Sequence, residues 1–144
     1  MLVQQILKTK AVGGVFTVEP GVSVREAAEV LASKRIGGVV VSSDGETPEG
    51  ILSERDIVRT LATQGPSCLD QKVSALMTPD PKCCQPEDSV ESVLRRMTDG
   101  RFRHMPVTEG GKLVGIVTIG DAVAARLSQL AMEKDALEGM IMGH

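Results

Sequence analysis

The chain is 144 residues long, 42% hydrophobic, and carries a net charge of −3 with a pI near 5.4. That length and apolar content support one compact domain or two intimate half-domains, and the acidic balance supplies no basic field for nucleic acid. No apolar run approaches the ~20 residues that cross a bilayer, and Met1-Leu2-Val3-Gln4-Gln5 lacks the basic start and long apolar core of a secretory signal, so the expectation is no membrane partner and a cytoplasmic location.

In chain order, Leu2, Val3, Ile6 and Leu7 have the spacing of a short amphipathic helix ending by Lys10, with Gly13-Gly14 as its breaker. Val15-Phe16-Thr17-Val18 reads as a strand and Pro20-Gly21 as a turn. Ser23 with Glu26 is a capping-box signature, opening a helix with Val24, Ala27, Ala28 and Leu31 at core spacing and Gly37-Gly38 as its stop. Val39-Val40-Val41 predicts a strand, Asp44-Gly45 a hairpin turn and Gly50-Ile51-Leu52 the returning strand. A helix from Asp56 carries Ile57, Val58 and Leu61 as far as Gly65-Pro66.

The order then repeats. Val73, Leu76 and Met77 echo the first helix, Lys82-Cys83-Cys84 the strand, Pro86 the turn, and Val90, Val93, Leu94 and Met97 the helical stripe, with Gly100 as its stop. Met105-Pro106-Val107 and Leu113-Val114-Gly115-Ile116-Val117 flank Gly110-Gly111 as a hairpin. Pro20 matches Pro86, Ser23 matches Ser89 and Val41 matches Val107 at an offset of 66, while Asp56 matches Asp121 at 65, which places a one-residue deletion in the hairpin loop. Each copy predicts strand–helix–strand–strand–helix, an α/β (α+β) unit too small to cover both faces of its sheet. Two copies packed through their sheets about a pseudo-two-fold axis are expected to share one core and create two related clefts. The expected divisions are a first repeat at 7–64, a second at 73–127 and a helical extension at 128–144.

Cys68, Cys83 and Cys84 are odd in number, lack CxxC spacing, and the adjacent pair points to opposite strand faces, so reduced thiols and no metal site are expected. With no Trp or Tyr and only Phe16 and Phe102, the chain offers no aromatic platform for single-stranded nucleic acid. Beyond Ala122, Val123, Leu127, Leu130, Leu137 and Ile141 form an a/d-like seam interrupted at Lys134. That seam suits either packing on its own module or contact with a second subunit, which favours a homodimer.

The recurring stretch is Gly50-Ile51-Leu52-Ser53-Glu54-Arg55-Asp56 and its echo Gly115-Ile116-Val117-Thr118-Ile119-Gly120-Asp121. Each is a glycine, a short apolar strand, a hydroxyl residue, two spacers and an aspartate opening a helix. Ser53 with Asp56 and Thr118 with Asp121 fit N-terminal capping pairs, each worth ~1 kcal/mol. The same groups can hold the phosphate and ribose of a nucleotide at a helix N-terminus. Capping and ligand binding are compatible.

With these residues in order, the chain resembles a tandem pair of CBS domains, the repeat also called a Bateman module, and is similar to stand-alone bacterial proteins built of one such pair. The carrying residues are Val15 to Val18 with Pro20, Arg35 to Val41 and Gly50 to Asp56 in the first copy, then Arg101 to Val107 and Gly115 to Asp121 in the second. The resemblance covers residues 7 to 127. It implies a non-enzymatic sensor of adenine nucleotides (AMP, ADP or ATP) or of NAD(H) or S-adenosylmethionine, with the ligand a regulator and no cofactor obligatory. In the family pattern the aspartate accepts from ribose hydroxyls, the hydroxyl residue donates to phosphate, and the opening strand of the partner repeat contacts adenine. The segment before that repeat's Pro-Val strand supplies positive charge.

Carried over by that resemblance, one site comprises Ile51, Ser53 and Asp56 with Lys82, Arg103 and His104. The other comprises Val117, Thr118 and Asp121 with Lys10, Val15, Phe16, Gly37 and Gly38. Because Gly37 and Gly38 stand where the second copy has Arg103 and His104, the Asp56 site is expected to hold phosphate more strongly unless Lys10 compensates. Lys82 departs from the usual apolar residue at its position, and Arg55 reads as either a phosphate contact or a solvated helix-start residue. No nucleophile elbow, P-loop, HExxH or G-x-G-x-x-G is present, and no catalytic residue is assigned. The alternatives are a ligand-independent dimerisation and docking module with degenerate pockets, and a thiol switch at Cys83 and Cys84, which nothing in the local sequence activates.

Overall fold

The computed structural model describes residues 1–10 and 15–141; the expected break at Gly13-Gly14 lies outside the described residues. Helix α1 (Val3–Thr9) precedes a first repeat of β1 (Thr17–Val18), α2 (Val24–Lys34), β2 (Gly38–Val41), β3 (Gly50–Ser53) and α3 (Glu54–Gln64). A 3₁₀ turn, Pro66–Asp70, leads to α4 (Val73–Leu76) and β4 (Thr78–Pro79). The second repeat follows as α5 (Val90–Gly100), β5 (His104–Glu109), β6 (Lys112–Thr118) and α6 (Ile119–Ile141). β1 is parallel to β2, β2 is antiparallel to β3 and β3 to β4, while β5 and β6 make an antiparallel hairpin. This is the expected mixed α/β pair with a C-terminal helix.

Helix starts follow the caps in the sequence: Ser23 Oγ accepts from Glu26 N and Ser89 Oγ from Ser92 N, each at 3.1 Å. Helix ends do not. In place of the expected glycine stops, Arg35 and Arg101 take the left-handed conformation directly after α2 and α5. Helix α3 begins at Glu54, two residues before the expected Asp56, because Ser53 is its cap.

Lys82-Cys83-Cys84, expected as a strand, contributes one bridge, Cys84 beside Val107. Its register matches the first repeat, where Val18 lies beside Val41. The ladder goes no further because the counterpart of Val40 is Pro106, which has no N–H to extend it. What remains is Cys84 N donating to Pro106 O at 3.0 Å and Thr108 N donating to Cys84 O at 2.8 Å.

The expected single core is two cores. One gathers Val24, Leu31, Val39, Val41 and Leu52 of the first repeat with Val73 of α4. The other gathers Val90, Met97, Met105 and Val117 of the second repeat with Val3 and Ile6 of α1. Each linker helix therefore closes the opposite repeat, fixed by Val3 N donating to Asp88 O and Val73 N donating to Val22 O, both at 2.9 Å. Strand alternation explains the division: Val39 and Val41 turn to their own helices, so Val40, equally buried, turns the other way.

On that second face Gly38 meets His104, and a Cβ added at Gly38 would stand 2.8 Å from the imidazole. Positions 38 and 104 are equivalent at the offset of 66, so their contact marks the pseudo-two-fold axis. Only a glycine on one side leaves room for the ring on the other.

Helix α6 runs unbroken for 23 residues. Its first half packs on α5, with Arg126 Nη1 2.9 Å from Glu91 Oε1. From Ala131 to Ile141 every residue but Gly139 is exposed, so the seam does not pack on its own module; Leu127 is 62% and Leu137 59% accessible. No helix among the described residues is long and apolar enough to cross a membrane. Cys68 and Cys84 are buried and all three cysteines are free thiols. Burial pushes the Cys84 thiol up to about 12 and raises Cys83 as well, the opposite of what a thiol switch requires.

Candidate functional site

The strand-to-helix turn at Ser53 is organised by reciprocal bonds. Ser53 N donates to Asp56 Oδ2 at 2.9 Å, Ser53 Oγ donates to the same oxygen at 3.0 Å, and Ser53 Oγ accepts from Asp56 N at 3.3 Å. The capping reading is realised, yet the second carboxylate oxygen is left over, and Asp56 makes no ion pair among the described residues. This turn opens onto a cavity of about 580 Å³ between the repeats. Ile51, Ser53 and Asp56 line it from the first repeat, and Lys82, Arg103 and His104 from the second, so the six residues grouped from the sequence surround one space.

Arg55, Arg59 and Arg101 line the same cavity, so five cationic side chains surround it against Glu54, Asp56 and Asp80. Neither Arg59 nor Arg101 is among the site residues expected from the sequence. Their signals were present: Arg59 lies four residues after Arg55 on one helix face, and Arg101 two before Arg103.

The echo at Thr118 lines a smaller cavity of about 370 Å³ with Asp121, Lys10, Val15, Phe16, Gly37 and Gly38. Thr118 N donates to Asp121 Oδ2 and Thr118 Oγ1 accepts from Asp121 N, both at 3.0 Å. Here a cation is already seated. Lys10 Nζ lies 2.8 Å from Asp121 Oδ2 and donates to Ile116 O at 2.9 Å. Burial alone would raise the Asp121 pKa, but the Lys10 and Thr118 hydrogen bonds and the Lys10 charge together hold it below its usual value.

Val117 does not belong to this cavity; it is fully buried in the second core. The wall residue is Ile116, the counterpart of Ile51 at the offset of 65, because alternation sends Val117 to the core side as it sends Leu52. Gly37 and Gly38 bring no charge of their own to this cavity, and Arg35 lines it beside them.

His104 lines both cavities. Its burial pulls the imidazole pKa down, against Glu54 and Asp56 on one side and Asp121 on the other, with Lys10 reinforcing the depression. The ring is therefore held neutral further into acid than a free histidine. The chain's two aromatic residues are divided between the cavities, Phe102 in the larger and Phe16 in the smaller, with Lys34 Nζ 4.7 Å from the centre of the Phe16 ring. Among the described residues no group of acidic, Cys or His side chains could hold a metal.

Two repeats with crossed linker helices and a pocket at each inter-repeat turn define a duplicated α/β pair. The chain belongs to the CBS domain family, whose model matches residues 4–63 and again 73–128. Among solved structures, the CBS-domain containing protein ATU1752 from Agrobacterium tumefaciens superposes with a TM-score of 0.82 at 45% identity, over 88% of this chain and 99% of that one. CBSX2 from Arabidopsis thaliana, solved in complex with AMP, gives 0.70 at 29% identity over 88% and 96%. The CBS domain pair of MJ0100, solved with 5′-methylthioadenosine and S-adenosyl-L-methionine, gives 0.75 at 25% over 88% and 98%. The mitochondrial protein CBSX3 of Arabidopsis thaliana is 34% identical over 125 residues, 84% of this chain but 61% of CBSX3.

Proposed function

We propose that this CBS pair is a regulatory, non-catalytic module that binds an adenosyl ligand between its repeats, the class comprising AMP, ADP, ATP, NAD(H) and S-adenosylmethionine. The observation that carries this reading is the Asp56 cavity. A carboxylate with an unused oxygen and a hydroxyl at a helix N-terminus come from one repeat, and the cations facing them come largely from the other. A ligand that satisfies both sets ties the repeats together, so its binding energy biases their relative orientation. AMP in CBSX2 and the two adenosyl compounds in MJ0100 support the ligand class.

The read-out surface we assign to α6 and α3. Val58 and Val123 are counterparts at the offset of 65, and both are exposed, as is the α6 seam beyond them. Apolar faces on pseudo-two-fold-related helices suit a homodimer, and through it a regulated protein partner. If that surface alone were the function, the module would dock without any ligand.

Calorimetric titration of wild type, Asp56→Ala and Asp121→Ala with AMP, ATP, NADH and S-adenosylmethionine tests the reading. At least one compound should bind wild type, with Asp56→Ala losing the larger part of that affinity. Absence of binding by all of them leaves the docking module, and full affinity in both variants places the ligand elsewhere. Truncation after Arg126 should lower the mass seen in light scattering; an unaltered mass moves the subunit contact off the tail.

A further inference from the structure

Strands β2 and β5 begin at equivalent positions and differ in what they carry to the pseudo-two-fold axis. Gly38 faces Ser53 across β2 and β3, whereas His104 faces Thr118 across β5 and β6. With no side chain at Gly38, the His104 ring reaches the axis and lies over the glycine, where an added Cβ would meet Nε2 at 2.8 Å. The ring is therefore a partition, lining the Asp56 cavity on one side and the Asp121 cavity on the other. Its charged surroundings are divided in the same way. Glu54 and Asp56 act on it from α3, Asp121 from the first turn of α6, and Lys10 from the residue after α1.

Thr118 beside the ring is committed, its Oγ1 accepting from Asp121 N. The imidazole is not. Among the described residues its ring makes no hydrogen bond, and neither nitrogen is sealed from solvent. A neutral imidazole has one N–H and one lone pair, so the nitrogen that donates leaves the other only able to accept. Burial favours the neutral form of this ring. One donor thus stands between two cavities. We propose that His104 couples them: an anionic ligand in either cavity claims the N–H, leaves the bare nitrogen for the other, and so weakens a second anionic ligand there. The inference rests on the adenosyl reading above and adds that the two sites answer to each other. The coupling element has two states, the two tautomers of one ring, and each ligand biases their balance. Negative coupling of this kind spreads the response of the pair over a wider span of ligand concentration than two independent pockets give.

The test is an AMP titration of the full chain followed by NMR, with the backbone amides of Asp56 and Asp121 reporting the two cavities separately. Wild type and His104→Leu are compared, and calorimetry gives the number of AMP bound. In wild type, filling one cavity should weaken AMP in the other by about fivefold or more, the low end of couplings between sites. In His104→Leu that factor should fall below about twofold. One AMP per wild-type chain against two per His104→Leu chain is the extreme form of the same result. The ring gives a second readout that does not depend on the variant folding. The chain's only other histidine is His144, so the His104 nitrogen signals can be assigned, and the first AMP should drive them to a single tautomer. Cavities that fill independently in wild type overturn the proposal, while the binding itself keeps the adenosyl reading intact. Undiminished coupling in His104→Leu, a single AMP in both proteins, or ring signals that AMP leaves unchanged overturn it too. Absence of AMP binding by wild type overturns this inference, and absence of binding by every adenosyl compound overturns the reading beneath it.

Discussion

The two cavities grow from one motif, yet the carboxylates at their turns are in different states. Asp56 gives one oxygen to its own cap and has the other free, with five cations around the space it faces. Asp121 forms the same cap and is then neutralised by Lys10. The cause is one position in a linker: the counterpart of Lys10 at the offset of 66 is Leu76, which carries no charge to Asp56. Duplication thus supplies two frames for a pocket, and divergence at the linkers and pre-strand segments sets what each can hold. The caps keep their structural role in both.

The largest expected effect breaks the symmetry of the cores. Ile6 lies ahead of the first repeat in sequence but is packed in the core of the second. Ile6→Ala should cost roughly 2–5 kcal/mol, the range for truncating a buried aliphatic side chain. Hydrogen exchange should lose protection first in β5, β6 and α5. Loss beginning in β2 and β3 would mean that the linker helices are not crossed. Next in size is the difference between the carboxylates themselves. Asp56→Ala should lower nucleotide affinity by about tenfold or more, the worth of a charge-assisted hydrogen bond, and Asp121→Ala should lower it less. Equal losses in calorimetry would erase the distinction drawn from Lys10.

A smaller effect isolates Lys10. Its pair with Asp121 is about three-quarters shielded, the two side chains being 28% and 26% accessible, so Lys10→Met should cost about 1 kcal/mol at neutral pH. The sign in acid follows from the depressed Asp121 pKa. A carboxyl that titrates lower folded than unfolded stabilises above its unfolded value of 3.8 and loses that contribution as pH falls through the folded value. Urea unfolding of wild type and variant should therefore differ at neutral pH and converge in strong acid. A gap that persists in strong acid would show that Lys10 acts through packing of its stem.

The repeat, its caps and its hairpins were legible because they are local: a hydroxyl three residues before a carboxylate, a proline-glycine turn, a constant offset. The same locality explains the failures. Whether Val117 or Ile116 faces a pocket depends on strand parity, and only the three-dimensional register shows that the Ile51 wall continues at Ile116. The shrinking of the second opening strand depends on Pro106, more than 20 residues away from Cys84 in the chain. Arg35 does not read as a helix end because the glycine pair close by has the look of the stop, whereas the chain turns at the arginine itself. The crossed linker helices are a choice between two cores with equal apolar demand, which hydrophobic spacing does not rank.

The smallest expected effect concerns the one side chain both cavities share. Burial holds the His104 pKa below its unfolded value of 6.5, against the pull of Glu54, Asp56 and Asp121. Between the folded and unfolded values the unfolded chain binds more protons, so stability should fall as pH drops from above 6.5 and level off below the folded value. His104→Gln should flatten that slope in chemical unfolding, and Asp56→Asn should steepen it by removing a group that favours the charged ring. A phosphate-bearing ligand in the larger cavity acts in the opposite sense to that variant, because an added anion near the ring favours its protonation. AMP should therefore reduce the slope in wild type and leave it unchanged in His104→Gln. A slope that AMP moves equally in both proteins would place the responding proton on some group other than the shared imidazole.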